Sequence, residues 1–91
     1  DKFFKKIKTS KKEIKKNIVL FLKKKKKKID FNDNKIDLIR DDIIDSMDFL
    51  NLISFLEKKL IIEIDLSRED PNIFSKVEKL SNSIYKNSKN K

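Results

Sequence analysis

The segment from Asp41 to Leu60 constrains the fold more than any other part of the chain. It begins as an acidic stretch and continues as a run in which apolar residues recur at the helical period, about 100° per residue. Ser46 precedes this run, and its side-chain oxygen can accept a hydrogen bond from a first-turn N–H. The sequence therefore predicts an amphipathic helix with Ser46 at its N-cap and Asp48 placed against the positive end of the helix dipole. The residues on its apolar face are Phe49, Leu52, Ile53, Leu56 and Leu60.

A first helix is predicted upstream of this segment. Ser10 and Glu13 have the spacing of a capping box, so the helix is expected to start at Ser10. It should end within the lysine run 23–28, because six adjacent positive charges repel one another. Residues 1–9 are then a separate basic arm. The loop 29–45 is long and carries its own apolar anchors, a feature typical of ordered, functional loops.

The chain after the central helix predicts a short turn and a last helix. Residues 61–66 are apolar but have no evident partner strand, so we interpret them as a buried loop. Residues 67–70 have capping-box spacing and predict one helical turn. The last helix should begin at Pro71 or Asn72. Residues 87–91 form a polar tail that is expected to be disordered.

Composition favours a single all-helical domain. The chain has 91 residues, no Gly, no Cys, no His and one Pro, and no apolar run is long enough to span a membrane. Without His or Cys the common general base, nucleophile and metal ligands are absent. Ser46 has no histidine to activate it, so we expect neither an enzyme nor a metal site.

Asp45, Ser46 and Met47, followed by this helix and an apolar segment, resemble the Asp-Ser-Leu/Met signature of acyl carrier and peptidyl carrier proteins. The resemblance covers roughly residues 10–86, which would be the carrier domain. It implies an all-α, acyl-carrier-like four-helix bundle with three long helices and one short one. It also implies a 4′-phosphopantetheine arm attached to the Ser46 hydroxyl, with Asp45, Met47 and Asp48 beside it. Such an arm would hold an acyl or aminoacyl group as a thioester.

The same resemblance implies partner enzymes and a cellular location. They would be a phosphopantetheinyl transferase and the enzymes that load and accept the cargo, as in fatty acid biosynthesis, and the carrier would be a cytoplasmic monomer. The partner-binding candidates are Met47, Asp48, Phe55 and Glu57. A cargo groove is expected beside the arm, lined by Met47, Leu50 and either Ile64 or Ile73.

Two features depart from the family pattern or point to one branch of it. Family members usually dock partners through an acidic second helix, whereas Asn51, Lys58 and Lys59 dilute the acidic charge here. The Asp-Ser-Met form and the Pro71-Asn72 start of the last helix are similar to D-alanyl and other aminoacyl carrier proteins. The cargo and the pathway therefore stay open.

The lysine-rich first helix supports an alternative function. Residues 1–28 contain 14 lysines, and the whole chain has a formal net charge of +9. The simplest interpretation is a solvated basic face that follows from biased composition. The alternative is a small basic helical module that binds nucleic acid or an anionic membrane. The negative charge of residues 29–91 and the lack of an aromatic-interleaved motif argue against nucleic acid.

Overall fold

The computed structural model describes residues 9–90. Residues 1–8 of the predicted basic arm and residue 91 lie outside the described residues. Along the described part, no helix combines the length and the apolar character that a bilayer crossing requires. The elements in chain order are α1 (Lys11–Lys25), α2 (Ser46–Leu60), β1 (Ile62–Ile64), a 3-10 helix (Pro71–Phe74), α3 (Val77–Lys86) and β2 (Ser88–Asn90).

Helix α1 begins and ends where the sequence predicted. The Ser10 hydroxyl accepts a hydrogen bond from the Glu13 N–H at 3.2 Å, so Ser10 is the N-cap. The helix ends at Lys25, inside the lysine run. Both predictions are therefore confirmed. They could be made from the sequence because the cap and the charge repulsion act locally and do not depend on the rest of the fold.

The core lies between the three helices and the loop that joins α1 to α2. Apolar side chains from all four parts of the chain are buried there, and the loop contributes four of them, more than any one helix. The loop is thus a structural layer of the domain. Its core members and those of the helices are Ile14, Ile18 and Leu22 of α1, Phe31, Leu38, Ile43 and Ile44 of the loop, Leu52 and Leu56 of α2, and Val77, Leu80 and Ile84 of α3.

The predicted all-α four-helix bundle is wrong. Among residues 9–90 the structure has three α-helices and a two-stranded antiparallel sheet, in which Ile62 pairs with Asn90 and Ile64 with Ser88. The apolar segment after α2 is therefore a strand, and the predicted disordered tail supplies its partner. The chain is a small fold of helices and sheet.

The last helix is shorter than predicted. Residues 67–70 form a turn, and the short helix follows as the 3-10 segment Pro71–Phe74, capped by the Asp70 carboxylate. The backbone does not continue into α3, because Lys76 is extended (φ −124°, ψ 140°), and the Leu38 N–H donates to the preceding Ser75 carbonyl at 2.7 Å. A continuous helix would need that carbonyl for its own ladder. Helix α3 therefore begins only at Val77.

Two ion pairs join α1 to α3 and predict a pH dependence. Lys11 and Lys15 approach the Glu78 carboxylate to 2.7 and 2.9 Å. The hydrogen bond from Lys11, followed by that from Lys15, lowers the pKa of Glu78 from 4.5 to about 2. A lowered pKa stabilises the fold above pH 4.5, and the contribution is lost as the pH falls towards 2. Since the Glu78 side chain is 54% exposed, we expect no more than about 1 kcal/mol.

The measurement is urea unfolding of the wild type and of Glu78→Gln at several pH values. The wild type should be the more stable protein above about pH 5, and the difference should vanish by about pH 2. A difference that stays constant over this range would show that the carboxylate charge does not contribute. High salt should reduce the same difference, because exposed ion pairs are screened.

Candidate functional site

Ser46 is the first residue of α2 and its side chain is exposed. The predicted N-cap role of Ser46 is wrong by one residue, because Asp45 occupies that position with an extended backbone (φ −111°, ψ −174°). The hydroxyl is therefore not needed to close the helix. It lies in the first turn, where backbone N–H groups point out of the helix end.

Asp45 and Asp48 form the capping box of α2. The Asp48 N–H donates to the Asp45 carboxylate at 2.8 Å, and the Asp45 N–H donates to the Asp48 carboxylate at 3.2 Å. These reciprocal bonds fix the backbone on both sides of Ser46. Asp45 and Asp48 were predicted to lie beside the phosphopantetheine arm. Their role in the capping box is by itself sufficient to explain why aspartate occurs at both positions.

Lys25, the last residue of α1, forms an ion pair with Asp48. The hydrogen bond from Lys25, followed by that from the Asp45 N–H, lowers the pKa of Asp48 below its ordinary value. The Asp48 side chain is 18% exposed, so this pair is better shielded than the other ion pairs of the described residues. It brings the end of the basic helix to the turn that contains Ser46.

A cavity of about 500 Å³ opens beside Ser46. Most of its wall is apolar, and the Phe49 and Phe74 rings, 4.1 Å apart between centroids, form part of it. An apolar wall with a few polar groups at the rim is typical of small-molecule sites. The lining residues are Ile39, Asp42, Ile44, Asp45, Ser46, Phe49, Leu50 and Phe74.

The loop before α2 holds two apolar walls of this cavity in place. The Ile43 and Ile44 N–H groups both donate to the Leu38 carbonyl, at 2.9 and 3.1 Å. Asp42 adopts the left-handed conformation at φ 56°, a region that aspartate tolerates better than most residues. This reversal lets the buried Ile44 and the exposed Ile39 line the same cavity.

An aspartate network shapes the start of this turn. The Asp37 carboxylate accepts the N–H groups of Ile39 and Arg40 at 3.0 and 2.8 Å, and Asp41 accepts the Asp37 N–H at 2.9 Å. The bond from the Arg40 N–H is the main cause that lowers the pKa of Asp37. Asp37 and Asp41 are thus engaged in turn formation.

The predicted partner-binding residues divide into two groups. Met47 is 65% exposed beside Ser46. Phe55 is partly buried and packs on Phe21 of α1 with ring centroids 5.5 Å apart. The Glu57 carboxylate accepts the Ile64 N–H at 3.0 Å. Phe55 and Glu57 therefore serve the packing of α2 on its neighbours.

The structure brings one of the predicted groove residues to the cavity beside Ser46. Of its expected members, the described cavity lining includes Leu50, which is 60% exposed, but not Met47, Ile64 or Ile73. Ile64 belongs to β1.

Sequence reasoning missed the walls contributed by the loop and by the 3-10 helix, namely Ile39, Ile44 and Phe74. The apolar anchors of the loop were visible in the sequence. Their direction was not, because it depends on the Asp42 reversal.

Comparisons of the chain with protein-family models, with curated proteins and with solved structures found no match. What Ser46 does has to follow from the chemistry of its surroundings.

Proposed function

We propose that the chain is a carrier protein that holds an acyl or aminoacyl group as a thioester on a 4′-phosphopantetheine arm attached to Ser46. The arm would supply the terminal thiol for thioester formation, which the cysteine-free sequence lacks. The chain itself would perform no chemistry. Its residues would present the serine to a transferase and the loaded arm to partner enzymes.

The observation that carries the proposal is an exposed hydroxyl in the first turn of α2, at the rim of an apolar cavity. Asp45 provides the cap, so the Ser46 side chain has no structural task in the helix start. A serine at such a position can be modified without loss of a capping bond. The cavity gives an attached apolar group a place that is shielded from water.

The helix end suits a phosphodiester on Ser46. First-turn N–H groups and the positive end of the helix dipole stabilise an attached negative charge. Lys25 partly neutralises Asp48, an acidic side chain of the same turn. The local charge therefore tolerates a phosphate despite the surrounding aspartates.

Partner enzymes would contact the exposed apolar side chains beside the serine. Met47 and Leu50 are 65% and 60% exposed, an unusual degree for large apolar residues. Both lie within one helical turn of Ser46, so an enzyme that receives the arm would bury them. Asp48 would contribute indirectly, by fixing the turn.

The test is intact-mass spectrometry of the chain after incubation with coenzyme A and a broadly specific phosphopantetheinyl transferase. We expect a mass gain of one phosphopantetheine group in the wild type and none in Ser46→Ala. Because Ser46 is exposed and is not the cap, the substitution should leave the fold intact.

Ser54→Ala is the matched control, since Ser54 is a second exposed serine on the same helix. It should be modified as completely as the wild type. A folded wild-type protein that gains no mass with several transferases would refute the carrier proposal. Modification that persists in Ser46→Ala would refute the assignment of the serine.

A further inference from the structure

The outer face of α1 and the residues that follow it form a continuous basic surface. Each lysine from 23 to 28 is exposed. Lys16 precedes Leu20 by four residues, and Lys23 and Lys24 follow Leu20 by three and four residues. Side chains at these spacings lie on one face of a helix, so the three lysines share a face with Leu20. We call this set, Lys16, Leu20 and residues 23–28, the lysine face.

Charge is separated along the described chain. Residues 11–28 contain ten lysines and one glutamate, whereas residues 29–90 contain nine Lys or Arg and thirteen Asp or Glu. A negative surface would therefore attract α1 and repel the rest of the domain. A domain with such a charge distribution binds a negative surface in one preferred orientation.

Leu20 distinguishes this surface from a merely solvated one. Its side chain is 46% exposed and is absent from the apolar residues that pack on the described core, whereas its neighbours Val19 and Phe21 do pack there. An apolar side chain surrounded by lysines can enter the boundary between headgroups and acyl chains while the ammonium groups contact anionic headgroups.

We propose that the lysine face binds the surface of a bilayer that contains anionic lipids. The Lys25–Asp48 ion pair joins this surface to the first turn of α2. The proposal does not depend on what Ser46 carries.

A bilayer fits these observations better than a nucleic acid does. A DNA or RNA backbone would satisfy the lysines but offers Leu20 no apolar surroundings. Stacking of single-stranded bases needs exposed aromatic rings. The lysine face has none, and the exposed ring of Tyr85 belongs to α3.

The experiment is co-sedimentation of the full chain with vesicles of phosphatidylcholine alone or mixed with phosphatidylglycerol, at low and at physiological salt. We expect binding only to the mixed vesicles, weakened by salt. Lys23→Gln/Lys24→Gln should reduce the affinity by about 20- to 30-fold, since each lysine near an anionic surface contributes about 1 kcal/mol. Leu20→Gln should reduce it by about fivefold.

Lys58→Gln/Lys59→Gln is the matched control, because it removes the same charge from the last turn of the other 15-residue helix. It should change vesicle affinity by less than about threefold. If both double-lysine variants lost the same amount of vesicle affinity, binding would depend on net charge alone and the proposal would be overturned. Tighter binding to a short DNA duplex than to the mixed vesicles, with no effect of Leu20→Gln, would also overturn it.

Discussion

Replacing Leu38 by alanine is expected to lower the free energy of unfolding by about 2–5 kcal/mol. Leu38 is fully buried in the core although it belongs to the loop between α1 and α2. A domain of this size has only about 5–14 kcal/mol of stability in total. The loss of one loop side chain should therefore destabilise the whole fold.

The effect should be large because Leu38 also organises the backbone. Its N–H donates to the Ser75 carbonyl, and its carbonyl accepts the N–H groups of Ile43 and Ile44. A cavity at this point would loosen the segment that holds Ile44 in the wall beside Ser46. We therefore expect slower modification of Ser46 by a transferase as a second consequence.

Urea unfolding measures the first effect, and Ile39→Ala is the control. Ile39 is the next residue and lines the same cavity, but it is 53% exposed. Its replacement should change stability by no more than about 0.5 kcal/mol. Similar costs for the two variants would show that the loop is not part of the core.

Local signals in the sequence were sufficient to predict α1. Ser10, Glu13 and the lysine run act over one helical turn at each end, so their effect does not depend on distant contacts. The apolar face of α2 was equally visible, and Leu52 and Leu56 are buried as its period requires.

The start of α2 shows where such signals become ambiguous. Asp45 and Ser46 are both good N-caps and are adjacent, so residue type alone cannot choose between them. The choice depends on Asp48, which lies three residues after Asp45 and can return the hydrogen bond. That one-residue shift leaves the Ser46 hydroxyl available and thus bears directly on the candidate site.

The sheet could not be predicted from sequence. The second strand reads Ser88, Lys89, Asn90, three polar residues with low strand propensity, directly after a helix. It forms because β1 presents an open edge next to the end of α3, which is a property of the assembled fold. Tertiary contact has overridden local preference here.

Replacing Lys89 by proline should therefore remove β2 and lower the free energy of unfolding by roughly 2 kcal/mol. The Asp65 N–H donates to the Asn87 carbonyl at 3.1 Å, and Glu63 pairs with Lys89 two residues along. Hydrogen-bonded pairs alternate in an antiparallel ladder, so Glu63 and Lys89 form the next such pair. Proline at position 89 has no N–H to donate to Glu63 in this pair.

Amide hydrogen exchange at Glu63 together with urea unfolding measures this effect. Lys89→Val is the matched control, because it also removes the Lys89–Glu63 ion pair but keeps the N–H and favours the strand. Glu63 should lose protection in the proline variant only. Since Ile62 is fully buried and β1 directly follows α2, an unchanged stability in the proline variant would mean that α2 and the loop hold β1 without help from the C-terminal strand.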